Sequence, residues 1–128
     1  MTNEKLIKAA KKAMKYAYVP FSKFQVGAAL LTLGDNVYTG CNIENSSYGA
    51  TNCAERTALF KAISEGERNF KKIAVVSSSD DLTFPCGICR QVLAEFMPDA
   101  EVILVDKNNK VRTFKVTELL PYRFILEE

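Results

Sequence analysis

A mixed five-stranded sheet with helices on both faces is the fold class this sequence predicts, on three observations. The apolar pattern runs in the order helix, strand pair, helix, strand, helix, strand pair. The third and fourth strand patterns flank a helical one, so that pair requires a crossover and should be parallel. The last connection is too short for a crossover, so the fifth strand should lie antiparallel to the fourth. With 128 residues and no linker, repeat or low-complexity tract, the chain reads as a single domain over 1–128.

Each element has its own warrant. Leu6, Ala9, Ala10, Ala13, Met14 and Ala17 follow helical spacing, predicting a helix over 3–16 capped by Thr2 or Asn3 and stopped by Tyr18-Val19-Pro20. Phe24 to Leu33 is a nearly continuous apolar strand, Gly34-Asp35-Asn36 a turn, and Val37 to Ile43 the returning strand. After a loop from Glu44 to Asn52 comes a helix from Cys53 to Glu65, buried through Ala54, Ala58, Leu59, Ala62 and Ile63, with Gly66 at the C-terminal cap. Lys72 to Ser78 is the third strand. The loop Ser79 to Pro85 opens a helix from Cys86 to Met97, with Ile88, Val92, Leu93 and Phe96 expected inward and Pro98 ending it. Glu101 to Asp106 and Lys110 to Val116 are the last two strands, joined by Lys107-Asn108-Asn109, and Thr117 to Leu120 is one helical turn.

Composition narrows the chemistry. With 48% hydrophobic and 25% charged residues, the balance is that of a soluble globular protein. No apolar run approaches the roughly 20 residues of a membrane span. Met1-Thr2-Asn3-Glu4-Lys5 lacks a signal-peptide core, so a cytoplasmic protein without membrane association is expected. A net charge of +2 offers no concentrated basic stripe for nucleic acid. Lys5, Lys8, Lys11, Lys12 and Lys15 read as the solvated face of the first helix.

The chain has no histidine. That removes Ser-His-Asp and Cys-His catalysis and every histidine-ligated metal site. General acid-base work near neutral pH then falls to a tuned carboxylate. Four cysteines in a cytosolic chain argue for metal or buried thiols rather than disulfides. Three of them open helices: Cys53 one, and Cys86 and Cys89, within Pro85-Cys86-Gly87-Ile88-Cys89, the other. The unpaired N–H groups and partial positive charge of a helix start favour thiolate. Two such helices side by side can aim three thiolates at one zinc and leave its fourth position open. Glu55, two residues after Cys53, can then serve as proton carrier without being a ligand, and Arg56 can offset the surplus thiolate charge. The pairing of a ligand two residues before Glu with a later Pro-Cys-x-x-Cys is the pattern of zinc deaminases. A closed structural site with Cys41 as fourth ligand is the competing arrangement, although Cys41 lacks a nearby cysteine partner and reads as a buried inert thiol.

Over nearly its whole length the chain resembles the small homotetrameric cytidine deaminases. The marks are Phe24-Gln25-Val26-Gly27-Ala28-Ala29, Gly40-Cys41-Asn42-Ile43-Glu44-Asn45, Cys53-Ala54-Glu55-Arg56 and Pro85-Cys86-Gly87-Ile88-Cys89-Arg90-Gln91. The resemblance implies a three-layer α/β/α sandwich, one Zn2+ per subunit, and hydrolysis of cytidine and deoxycytidine to uridine and deoxyuridine with release of ammonia, a step of pyrimidine salvage. It implies that Asn42 and Glu44 bind the sugar 3′-hydroxyl, that Phe24 and Ala54 lie against the nucleoside, and that Phe124 stacks on the base of a neighbouring subunit in a homotetramer. Arg90 and Gln91 are expected to support the site or an interface without a chemical step. Phe84 and Ile88 depart from the residues usual beside this metal loop, which bears on pocket shape. A deaminase of a blasticidin-like nucleoside antibiotic and a non-catalytic zinc module are the alternatives, and a nucleic-acid deaminase fits the charge less well.

Overall fold

In a computed structural model, residues 1–126 are described. They form helices α1 (Asn3–Met14), α2 (Ala54–Ser64), α3 (Gly87–Phe96) and α4 (Val116–Leu119), and strands β1 (Val26–Thr32), β2 (Val37–Cys41), β3 (Phe70–Ser77), β4 (Glu101–Val105) and β5 (Val111–Lys115). A short 3-10 turn spans Tyr48–Ala50. The five strands make one sheet in the order β2-β1-β3-β4-β5. β3 and β4 are parallel and β4 and β5 antiparallel, as the connection lengths require. β1 pairs antiparallel with both β2 and β3.

The sheet separates two apolar layers. Leu6, Ile7 and Ala10 of α1 cover Ala29, Leu31, Ala74, Val76, Ile103 and Val105 on one face. On the other, Ala54, Ala58, Leu59 and Ala62 of α2 and Leu93 and Ala94 of α3 meet Ala28, Leu30, Ile73, Val75, Val102 and Leu104. Alternate residues of β1, β3 and β4 thus serve opposite layers, which is why these strands read as continuous apolar runs. The four lysines of α1, Lys5, Lys8, Lys11 and Lys12, and Lys15 at its C-cap are all exposed.

Two glycines set the layer spacing. A Cβ on Gly27 would lie 2.1 Å from the Ala10 carbonyl oxygen, and one on Gly40 would lie 2.5 Å from the Ala58 nitrogen and 2.7 Å from the Ala54 carbonyl oxygen. Helix backbone therefore rests directly on strand backbone at both places.

Several boundaries differ from the sequence reading. β1 starts at Val26 rather than Phe24, and β2 stops at Cys41 rather than Ile43. Both ends are displaced by one side chain: Asn42 accepts from the Val26 N–H at 2.9 Å and donates to the Phe24 carbonyl at 2.8 Å, so side-chain bonds replace ladder bonds. Helix α1 ends at Met14, two residues early. Ile88 and Phe96, expected inward, are 62% and 36% exposed. Cys89, Leu93 and Met97 hold the inward row of α3 at i, i+4 spacing, so the row 88, 92, 96 is rotated about 100° away from it.

Candidate metal and acid-base site

Cys53 is the N-cap of α2 and Cys86 the N-cap of α3, each in extended backbone. Cys89 lies in the first turn of α3. Because α2 and α3 lie on the same face of the sheet, their starts converge, and the three sulfur atoms all lie within 4.8 Å of one another. Cys89 is buried, Cys53 half-buried and Cys86 exposed. The Cys89 backbone N–H donates to the Cys86 sulfur at 3.5 Å, tightening the turn between them.

This donor set fits zinc. Two thiolates about 2.3 Å from a tetrahedral zinc stand about 3.8 Å apart, and the Cys53 and Cys86 sulfurs are 3.8 Å apart. Three thiolates at such distances repel unless a cation joins them. The surroundings favour one thiolate, at Cys53: its thiol is drawn down to about 5 by a hydrogen bond from the Cys89 thiol, against burial, with help from Arg56. Cys89 is pushed up by the hydrogen bond it gives and by burial. Arg56 donates from Nη2 to the Cys53 sulfur at 3.2 Å. Its Nε is buried without a partner among the described residues, so one donor remains unspent beside the thiols. Cys41 is not a member of the cluster. It ends β2, half-exposed, beside a separate hollow lined by Lys12, Tyr16, Thr57 and Lys61. The closed four-cysteine arrangement therefore fails on distance, and Cys41, read from the sequence as a buried inert thiol, is a partly open one whose pKa burial still raises.

Glu55 occupies the second position of α2 and is 4% exposed. Burial lifts its carboxyl to about 7, the negative Cys53 sulfur adding and its own backbone N–H and Arg56 opposing. The ion pairs among the described residues are Lys71–Asp35 and Lys107–Asp80, so no cation pins Glu55 in its charged form. A carboxyl poised there can accept and return a proton at neutral pH.

The residues expected at the sugar are brought beside the cysteines by two isolated bridges. Ile43 pairs with Tyr18 on one side and with Asn52, the residue before Cys53, on the other. Residues 42–44 thus run next to the start of α2. Asn42 and Glu44 do not share a partner in the chain. Asn42 binds the backbone of Phe24 and Val26. Glu44 accepts from the Phe21 N–H at 3.0 Å, the Ser22 N–H at 3.2 Å and the Ser22 hydroxyl. It lines a hollow with Phe21, Ser22, Tyr48 and Thr51. The Ser22 hydroxyl, outweighing burial, lowers the Glu44 pKa. Ala54 is fully buried beneath Gly40, so its side chain serves the core. Phe24 is 36% exposed and Phe124 70% exposed. The Phe124 backbone is held to α3, its carbonyl accepting from Gln91 Nε2 at 2.9 Å and its N–H donating to Gln91 Oε1 at 3.4 Å. The ring is left free.

Two supports escaped the sequence reading. Ser22 controls Glu44 across 22 residues, with only the Ser-Lys-Phe turn as a signal. Phe84 packs with its ring tilted 59° at 5.3 Å from that of Phe114 of β5, over which the Arg112 guanidinium lies at 4.8 Å. The loop carrying Pro85 is anchored to the far strand by that pile, and no sequence spacing announces it.

The family model described as "Cytidine and deoxycytidylate deaminase zinc-binding region" matches residues 1–105. A cytidine deaminase of Sporosarcina psychrophila is 52% identical over the whole of this chain and 95% of its own length. One of Halalkalibacterium halodurans is 53% identical over the whole chain and 98% of its own length. Among solved structures, cytidine deaminase from Burkholderia pseudomallei superposes with a TM-score of 0.94 at 50% identity, over 97% of this chain and all of that one. A blasticidin-S deaminase of Bacillus cereus is more distant, 31% identical over 80% of this chain and 79% of its own.

Proposed function

The chain belongs to the cytidine and deoxycytidylate deaminase family, and from that premise we infer that it is a cytidine deaminase, hydrolysing cytidine and deoxycytidine to uridine and deoxyuridine with release of ammonia. One observation carries the reading: three thiols at zinc spacing on two helix starts, with a buried carboxyl of near-neutral pKa two residues from one of them.

Cys53, Cys86 and Cys89 would hold one zinc per chain, which supplies Lewis acidity that makes water a nucleophile near neutral pH. Glu55 takes the proton of the attacking water and delivers it to ring nitrogen N3, which makes C4 electrophilic. It then carries the remaining proton of the hydroxyl added at C4 to the amino group as the C4–N bond breaks and the C4 carbonyl forms, so that water and cytidine give uridine and ammonia. Arg56 offsets thiolate charge that would otherwise blunt the metal.

Asn42 and Glu44 are the groups for the sugar. The Asn42 amide spends one of its two hydrogens on Phe24 and keeps one for a hydroxyl. Glu44, held ionised by Ser22, accepts from a hydroxyl and repels a phosphate, which favours a free nucleoside over a nucleotide or nucleic acid. Phe24 belongs to the wall of the pocket, and Ala54, fully buried in the core, would lie behind that wall. Phe124 is the residue to stack on the base in a neighbouring copy, within a homotetramer. A cytoplasmic role in pyrimidine salvage follows from this substrate. No described helix is long and apolar enough to cross a membrane.

The test follows cytidine absorbance and ammonia in the zinc-loaded protein beside Glu55→Ala. Wild type should convert cytidine. The variant should keep its zinc and lose at least roughly 10²–10⁴-fold in turnover. Near-normal turnover in the variant removes Glu55 from the mechanism. Conversion of blasticidin S but not cytidine moves the assignment to an antibiotic deaminase, and no conversion of either returns the site to a structural zinc module.

A further inference from the structure

Arg90 follows the buried ligand Cys89 on α3 and is itself half-buried. It belongs to neither ion pair among the described residues. Its guanidinium is divided between two backbone carbonyls: Nε donates to Pro85 at 2.8 Å, and Nη1 donates to Leu119, at the end of α4, at 2.9 Å. Pro85 is the residue immediately before Cys86, and it is buried. The direction of its carbonyl and the conformation of Cys86, with φ −67° and ψ 170°, together determine where the Cys86 sulfur points. The Arg90 backbone N–H also closes on the Cys86 carbonyl at 2.9 Å, so side chain and main chain grip the same turn from both ends.

From this geometry we infer that Arg90 is a positioning residue of the metal centre, clamping the Cys86–Cys89 turn against the end of α4 so that both thiols keep the spacing zinc requires. The inference rests on the deaminase reading only for its effect on turnover. A planar fork with fixed donors suits two carbonyls in different directions. A lysine in its place reaches one of them at a time. A half-buried cation with no carboxylate needs a compensating use, and holding the carbonyl beside a thiolate ligand is that use. The clamp also explains why α4, a single turn remote in sequence, packs on α3.

The test uses the full-length zinc-loaded protein and its cobalt(II)-substituted form. Arg90→Lys and Arg90→Gln should release zinc to a chelator roughly 10–100-fold faster than wild type, the range typical of supports behind metal ligands. The visible bands of the cobalt form should shift, and kcat for cytidine should fall by a similar factor. In Arg90→Ala, added methylguanidinium should slow zinc release again. Should Arg90→Ala not fold, the lysine variant carries the same comparison. Wild-type release rates and cobalt bands in folded variants overturn the inference. So does a lowered melting temperature with release, bands and kcat unchanged. Zinc release and cobalt bands need no turnover, so a wild-type protein inert toward cytidine would count against the deaminase reading alone.

Discussion

Glu44 and Glu55 are carboxyls moved in opposite directions by their neighbours. Burial pushes Glu55 up to about 7, whereas the Ser22 hydroxyl and the N–H groups of Phe21 and Ser22 hold Glu44 below its ordinary 4.5. A lowered carboxyl pKa contributes stability that is fully present above the unfolded value and is lost as pH falls through the folded one. Glu44→Gln should therefore melt at a lower temperature than wild type at pH 7, and the gap should narrow as pH falls below 4.5 and through the lower folded value. A melting-temperature series against pH checks this, and a gap that stays constant into strong acid would mean that Glu44 acts by packing. At this scale the metal site was legible, because Cys53, Glu55 and Arg56 are neighbours in the chain and Cys86 and Cys89 a spaced pair. The Ser22–Glu44 bond was not, since its partners are remote and of common type.

Helix α2 carries Cys53 at its N-cap and Glu55 in its first turn, and its height above the sheet is set by Gly40. A methyl group there would strike the Ala54 carbonyl and the Ala58 nitrogen, which are backbone and cannot turn aside. Gly27 plays the same part beneath α1, away from the cysteines. Gly27→Ala and Gly40→Ala should each cost about 1–3 kcal/mol or more in urea unfolding. The expected difference lies in function. Gly40→Ala lifts the start of α2 and should also speed zinc release, while folded Gly27→Ala should keep wild-type release. Equal release from both would show that the height of α2 does not govern the site. Element order, strand directions and helix starts were readable from periodicity and connection length. The inward face of α3 was misread in part, because Cys89 belongs both to the thiol cluster and to the core and so rotates Ile88 and Phe96 outward.

One chain leaves large apolar groups in water: Tyr48 is 77%, Phe124 70% and Ile88 62% exposed. They belong to the hollow beside Glu44, the tail and the Cys86–Cys89 turn respectively. The proposed homotetramer would account for all three, with the Phe124 ring of one copy completing the pocket of another. Sedimentation of the wild-type protein should give four copies, and Phe124→Ala should raise KM for cytidine on the order of 10-fold, the scale of one lost base–aromatic stack. A monomer with full activity would refute the shared pocket. A tetramer whose KM ignores Phe124 would confine that residue to packing.

Taken by itself, the sequence determined which residues the proposed chemistry can use. The lack of histidine, the three cysteines at helix starts and the glutamate beside the first of them leave zinc and a carboxyl proton carrier as the economical combination, because these are local facts of residue type and spacing. The tertiary structure decided what depends on contacts between distant residues: that Cys41 stands apart from the other three thiols, that burial tunes Glu55 toward neutrality, that Asn42 ends two strands, and that Arg90 joins the metal turn to α4. A thiol's spacing to its neighbours along the chain survives folding almost unchanged. Its distance to everything else, and the dielectric around a carboxyl, exist only once the layers have packed.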